Sequence, residues 1–139
     1  MTITTSARTS TIDAKRPVWR AAALSGVVAA VSTASIAALA HRAGVSLDVD
    51  GSPIPVAGFA TMTLAAVVIG YVLAVAVARW AARPRRAFTV TTLALTAASF
   101  IPDLATPMEA DTRVLLIATH IVAAAIVIPA IARRLGEKR

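Results

Sequence analysis

The 139-residue sequence contains no cysteine, and this absence excludes disulfide bonds, thiol chemistry and metal sites built on cysteine. Aromatic residues make up only 4% of the chain, too few for the stacking surfaces that hold single-stranded nucleic acid. Charged residues are also scarce, at 15% compared with about 25% in an average soluble domain. These shortages argue against an ordinary soluble enzyme.

Apolar residues are abundant instead, at 58% of the chain, with a mean hydropathy of +0.76. They form four runs, at about 21–40, 56–78, 88–107 and 113–132. Each run is close to the roughly 20 residues that a helix needs to cross a bilayer, whereas barrel strands alternate over about ten residues. We therefore predict an all-α fold, an integral membrane four-helix bundle over residues 20–135. Residues 1–19 are polar and are predicted to form a flexible cytoplasmic tail.

The basic residues orient this bundle. Of the 14 Lys and Arg residues, four lie within residues 1–20, four within 79–86 and four within 133–139. Five of the seven acidic residues lie towards the other side: four in the two other connectors, and Asp103 near the outer end of the third run. By the positive-inside rule, both termini are predicted to face the cytoplasm, in a multi-pass protein of the plasma membrane. Because the basic clusters flank apolar runs, the expected partner is the lipid bilayer rather than nucleic acid.

Two tryptophans lie at the predicted cytoplasmic ends of spans. Trp19 precedes the first run and Trp80 follows the second. Indole rings favour the boundary between lipid and water, so both are predicted to be interface anchors.

The first run also has some features of a signal peptide. Ala38-Leu39-Ala40 fits a cleavage site, and cleavage there would leave three spans. The run is longer than the 7–15 apolar residues of a signal sequence, so the four-span layout is preferred.

Small residues recur at intervals of four in the first two spans. Gly26 and Ala30 are so spaced in the first, and Ala66, Gly70, Ala74 and Ala78 in the second. Small residues allow helix backbones to approach closely in lipid. We therefore expect them to form packing seams within the bundle, or with a second copy or another membrane protein.

Two ionisable residues lie within or next to the spans. Asp103 is near the outer end of the third, and His120 is seven residues past Arg113 in the fourth. Counted along antiparallel helices, their depths differ by about 6 Å, so a polar pair is within geometric reach. Alternatively, Asp103 is wet at the helix end and His120 donates one hydrogen bond across the bundle.

No spacing motif for a metal or cofactor is present, and none is expected; His41 is the remaining histidine and is predicted to be interfacial. Pro129 lies inside the fourth span. Because proline removes a backbone hydrogen bond and clashes one turn back, a helix kink near Ala125 is predicted.

The stretch Thr119–Leu135, which carries His120 and Pro129, resembles the last span of a family of small four-span actinobacterial membrane proteins of unknown function. The likeness extends over residues 17–135 and includes Pro102 at the end of the third span. It implies the four-span fold and a setting in the cell envelope, and it implies no activity.

Three functions remain open. Catalytic motifs are absent, which favours a non-enzymatic accessory or scaffold protein of the cell envelope. One alternative is a small proton-linked transporter using Asp103 and His120. The other is a protein that binds a lipid or small ligand at the outer face, where acidic residues gather.

Overall fold

The computed structural model describes residues 17–136. Within them, four helices and one short hairpin follow one another as α1 (Val18–Arg42), β1 (Asp48–Val49), β2 (Ser52–Pro53), α2 (Val56–Trp80), α3 (Pro84–Ala105) and α4 (Ala110–Ala132). The predicted all-α four-helix bundle is confirmed. Most of the predicted tail, residues 1–16, lies outside the described residues.

Proline marks the helix boundaries. Pro17 and Pro55 immediately precede α1 and α2, and Pro84 is the first residue of α3. The fixed φ of proline suits the first helical turn. Backbone N–H groups there have no acceptor within the helix, so the N–H that proline lacks costs no hydrogen bond. This explains why α3 begins four residues before the predicted span at 88, even though two arginines follow Pro84.

Helices α1 and α3 each pack against both α2 and α4. The face that α1 buries consists entirely of small residues: Ala22, Ser25, Gly26, Ala29, Ala30, Thr33 and Ala37. A Cβ atom built on Gly26 would lie 2.9 Å from Cγ1 of Val67, so α1 and α2 approach closely there. The hydroxyls of Thr33 and Thr63 join the same two helices at 2.9 Å.

The small residues of α2 behave differently from the expected seam. Ala74 is buried, whereas Ala66 and Ala78 are exposed. A Cβ atom built on Gly70 would meet no heavy atom within 4 Å. Within residues 17–136 this stripe therefore forms no continuous packing seam, because open space lies next to its middle. Packing of the stripe against a second copy or another membrane protein stays a prediction.

A β-hairpin closes the connector between α1 and α2, and the sequence analysis missed it. Asp50 and Gly51 have φ angles of 51° and 74°, as the two central residues of a tight hairpin turn require. The amide of Asp50 donates a 3.0 Å hydrogen bond to the carbonyl of Pro107, which joins the hairpin to the connector between α3 and α4. We call this end of the bundle the hairpin end.

The side chain of Leu47 is buried in the core of the hairpin end. It is only 2% exposed and packs with Ala37, Phe59 and Leu115, one residue from each of three helices. A second and larger apolar cluster lies further along the bundle, around Phe88 and Ile131.

Large apolar side chains cover much of the outside of the bundle. Val31, Met62, Val72 and Val114 are among those that are more than half exposed. All four helices are long and apolar enough to cross a membrane. Because helices satisfy their own backbone hydrogen bonds, they can span lipid with such side chains facing it. The molecule is a small multi-pass membrane protein.

Candidate functional site

The turn between α3 and α4 brings Asp103 and His120 together. Asp103 lies in the last turn of α3 and is buried, and His120 lies in the third turn of α4 and is partly buried. Nδ1 of His120 is 3.2 Å from Oδ2 of Asp103, the distance of an ion pair when the imidazole is protonated. The Phe100 ring and the imidazole of His120 are arranged edge to face, with 6.2 Å between centroids and 73° between planes.

The imidazole N–H is directed to a different oxygen, however. Nδ1 of His120 lies 2.9 Å from the backbone carbonyl of Leu116, with the geometry of a hydrogen bond. Oδ2 of Asp103 has no hydrogen bond within residues 17–136, although it is fully buried. Two acceptors thus face a single nitrogen, and the carboxylate oxygen is the less well satisfied of the two.

Arg113 holds the end of α3 that carries Asp103. Its Nε donates to the backbone carbonyl of Asp103 at 3.0 Å, and Nη2 donates to the carbonyl of Thr106 at 3.4 Å. The last carbonyls of a helix have no partners within the helix and carry partial negative charge, so a guanidinium is favoured there. Sequence analysis assigned Arg113 no role beyond marking the start of the fourth span; its place one turn into α4 was the available signal.

His120 also forms part of the wall of a cavity between α2, α3 and α4. The cavity has a volume of about 340 Å³, at the small end of the range for ligand sites. Small residues leave this room: Ala66 and Gly70 on α2, and Ala123 and Ala124 on α4. The α2 stripe that we expected to pack thus forms part of a cavity wall.

The cavity opens on the flank of the bundle. Ile69 of α2 and Leu95 of α3 line it and are 64% and 53% exposed, which places them at its rim. Since this flank consists of membrane-spanning segments, the opening faces the region that lipid occupies. Its polar wall residues are four hydroxyls and one imidazole: Thr63, Thr92, Thr96, Ser99 and His120.

The other residues singled out in the sequence lie away from this cavity. Trp19 and Trp80 are 54% and 78% exposed near helix ends, and the guanidinium of Arg20 stacks 5.3 Å from the Trp19 ring. Pro129 lies inside α4, which continues to Ala132. The anchoring role of the tryptophans and the kink at Pro129 stay predictions.

His41 is also remote from the cavity. It lies at the exposed end of α1, with Nδ1 3.3 Å from the carbonyl of Val45. Over residues 17–136, no three His, Asp or Glu side chains are grouped as a metal ion would require.

A model of a family of unknown function, DUF6069, matches residues 13–137, which is nearly the whole chain. The chain belongs to this family. The match confirms the resemblance inferred from the last span, and it covers all four helices and both members of the Asp103–His120 pair. No curated protein and no solved structure matches the chain. Because the function of DUF6069 is unknown, the activity of this protein has to be argued from the geometry of the site.

Proposed function

We propose that this protein binds a small, mainly apolar molecule from the surrounding bilayer, without catalysing a reaction on it. The observation that carries the proposal is the cavity of about 340 Å³ between α2, α3 and α4, which opens on the lipid-facing flank. Ligand sites are typically apolar concavities with a few convergent polar groups, and this one has His120 in its wall.

This proposal is more specific than the accessory or scaffold role suggested by the sequence. An accessory role needs a partner surface, and exposed apolar residues on membrane helices are accounted for by lipid alone. The cavity is a more specific feature, because it is a concave volume of about 340 Å³ between three helices and has an imidazole in its wall. Ligand binding at the outer face was one of the alternatives; the cavity moves the proposed site into the membrane-spanning region.

Filling the cavity provides the test. Gly70→Leu puts a large side chain where a Cβ atom meets nothing within 4 Å, whereas Val72→Leu enlarges an exposed side chain of the same helix. The purified protein in phosphatidylcholine nanodiscs is irradiated with a diazirine-bearing alkyl chain, and the labelled residues are mapped by mass spectrometry. We expect labelling around Thr96 and Ala124 in the wild type and in Val72→Leu, and its loss in Gly70→Leu. Labelling that Gly70→Leu leaves unchanged would contradict the proposal.

A proton-linked carrier is the second candidate, favoured by the 3.2 Å approach of His120 to Asp103 beside the cavity. Paired ionisable residues inside membranes recur in proton relays. Liposomes containing the protein and a pH-sensitive dye should then show a proton flux that His120→Gln abolishes. An unchanged flux in this variant excludes a relay through the pair.

We further propose that the protein lies in the plasma membrane with the hairpin end outside. Support comes from charge: Asp48 and Asp50 lie at the hairpin end, whereas Arg83, Arg85 and Arg86 lie at or next to the connector at the opposite end. Both termini would then be cytoplasmic.

A further inference from the structure

We propose that the ligand carries a neutral hydroxyl group and that Nε2 of His120 accepts its hydrogen bond. The inference rests on the proposed function and specifies the chemical class: an alcohol with an apolar chain or ring system. It follows from the hydrogen-bonding groups of the cavity, which offer acceptors and lack free donors.

The four hydroxyls of the cavity wall have already used their protons. Thr63, Thr92 and Thr96 each donate to the carbonyl four residues earlier, at 2.7, 2.8 and 2.9 Å. Ser99 donates to the carbonyl of Thr96 at 2.7 Å. A hydroxyl has one proton and two lone pairs, so each of these oxygens can still accept and cannot donate to a ligand.

The neutral imidazole of His120 likewise offers the ligand an acceptor and no donor. Nδ1 of His120 faces the carbonyl of Leu116 and Oδ2 of Asp103, both of which are acceptors. Nδ1 must therefore carry the proton, since a bare nitrogen would repel both oxygens. In a neutral ring Nε2 is then an acceptor, and it has no partner within the described part of the chain.

Charge favours a neutral head group over an ammonium. The described residues that line the cavity include no Asp or Glu, and Asp103 is not one of them. A cation placed in an apolar cavity would lose its hydration without a free counter-charge. A hydroxyl group loses less hydration free energy than a cation when it moves out of water, and it provides the hydrogen-bond donor that Nε2 can accept.

Two matched photoprobes test the inference: a diazirine-bearing decanol and its methyl ether, which keeps the oxygen and lacks the donor. Each is mixed with the full chain in phosphatidylcholine nanodiscs. Cavity labelling is expressed relative to labelling of lipid-facing residues outside the cavity, such as Val31 on α1, so that different partitioning into lipid cancels. One hydrogen bond predicts about three- to tenfold more labelling by the alcohol. In His120→Phe, which retains an aromatic ring, we expect this preference to disappear.

The outcomes separate this inference from the proposed function. Equal labelling by the two probes, or preference for the ether, overturns the hydroxyl while the cavity remains a binding site. No cavity labelling by either probe overturns both. Should His120→Phe fail to fold, competition by unlabelled decanol against unlabelled methyl decyl ether on the wild type gives the same comparison, with the alcohol expected to compete at about three- to tenfold lower concentration.

Discussion

At the scale of single residues, Asp103 and His120 show how far a sequence can predict a site. Helical rise and the position of the turn between α3 and α4 placed the two side chains at similar depths. Their 3.2 Å separation agrees with that estimate. The direction of the imidazole N–H was not predictable, because it depends on the side-chain rotamer relative to the carbonyl of Leu116.

The first prediction concerns the energetic coupling of this pair. His120→Leu leaves the buried carboxylate with no nearby donor, and Asp103→Asn removes the charge that faces the imidazole. Because the side chains are in contact, we expect the double variant to depart from additivity by more than about 0.5 kcal/mol. Thermal unfolding in detergent micelles, followed by circular dichroism, measures the cycle.

The control for this cycle is His41→Leu combined with Asp103→Asn. His41 is exposed at the end of α1 and bonds only locally, so the two effects should add. An additive result for the His120 cycle would show that the pair has no energetic significance, leaving His120 as a residue bonded within its own helix.

At the scale of the helices, identical spacings gave different structures. Gly26 lies in a tight contact between α1 and α2, whereas Gly70, in a similar pattern of small residues, adjoins open space. The pattern shows that a backbone can be approached and does not show whether another helix does so. For the same reason, the cavity itself could not be predicted from the sequence.

The second prediction uses this contrast. In Gly26→Ala the new methyl group would lie 2.9 Å from Cγ1 of Val67, a branched side chain with little freedom to move, so we expect a loss of about 1–3 kcal/mol. Gly70→Ala has open space and gains helix propensity, so its stability should stay equal or rise by up to about 1 kcal/mol. Unfolding in detergent compares the two variants. Val67→Ala should rescue Gly26→Ala; failure to rescue would mean that another contact is responsible.

The missed hairpin has a local explanation. Its strands have only two residues each, too short to show the alternation by which strands are recognised. The signal was the pair Asp50-Gly51, whose residue types tolerate the positive φ angles found there. A two-residue turn signal within a 15-residue connector was therefore more informative than the hydropathy of the flanking residues.

At the scale of the whole molecule, hydropathy was sufficient to predict the fold. Four long apolar runs in 139 residues leave few alternatives to a four-helix membrane bundle, because each run must satisfy its backbone within lipid. Run ends were less accurate, since arginines next to Pro84 were assigned to a connector and belong to α3. The cavity could not be predicted from the sequence at all, because its volume depends on how the helices tilt against one another.

The third prediction concerns orientation. Because the chain lacks cysteine, single cysteines can be introduced without background. Ser52 lies in the hairpin and Gly136 follows α4 at the opposite end, and both are exposed. With an impermeant maleimide on intact cells, we expect Ser52→Cys to be labelled and Gly136→Cys to be protected until the membrane is permeabilised. The reverse pattern would place the termini outside and contradict the orientation proposed from the basic residues.

The hydrogen bond between the hairpin and the connector of α3 and α4 also bears on the order in which contacts can form as the chain is made. The hydroxyl of Ser46 meets that of Thr112, 66 residues later in the chain, and the amide of Asp50 meets the carbonyl of Pro107. Once α1 and α2 have been synthesised, the chain contains both residues of the close contact between Gly26 and Val67. It also contains both hydroxyls of the Thr33–Thr63 hydrogen bond. At that stage Pro107 and Thr112, the partners at the hairpin end, have not yet been synthesised. The close contact between α1 and α2 therefore needs only the first half of the chain, whereas the hydrogen bonds that close the hairpin end need residues of the second half.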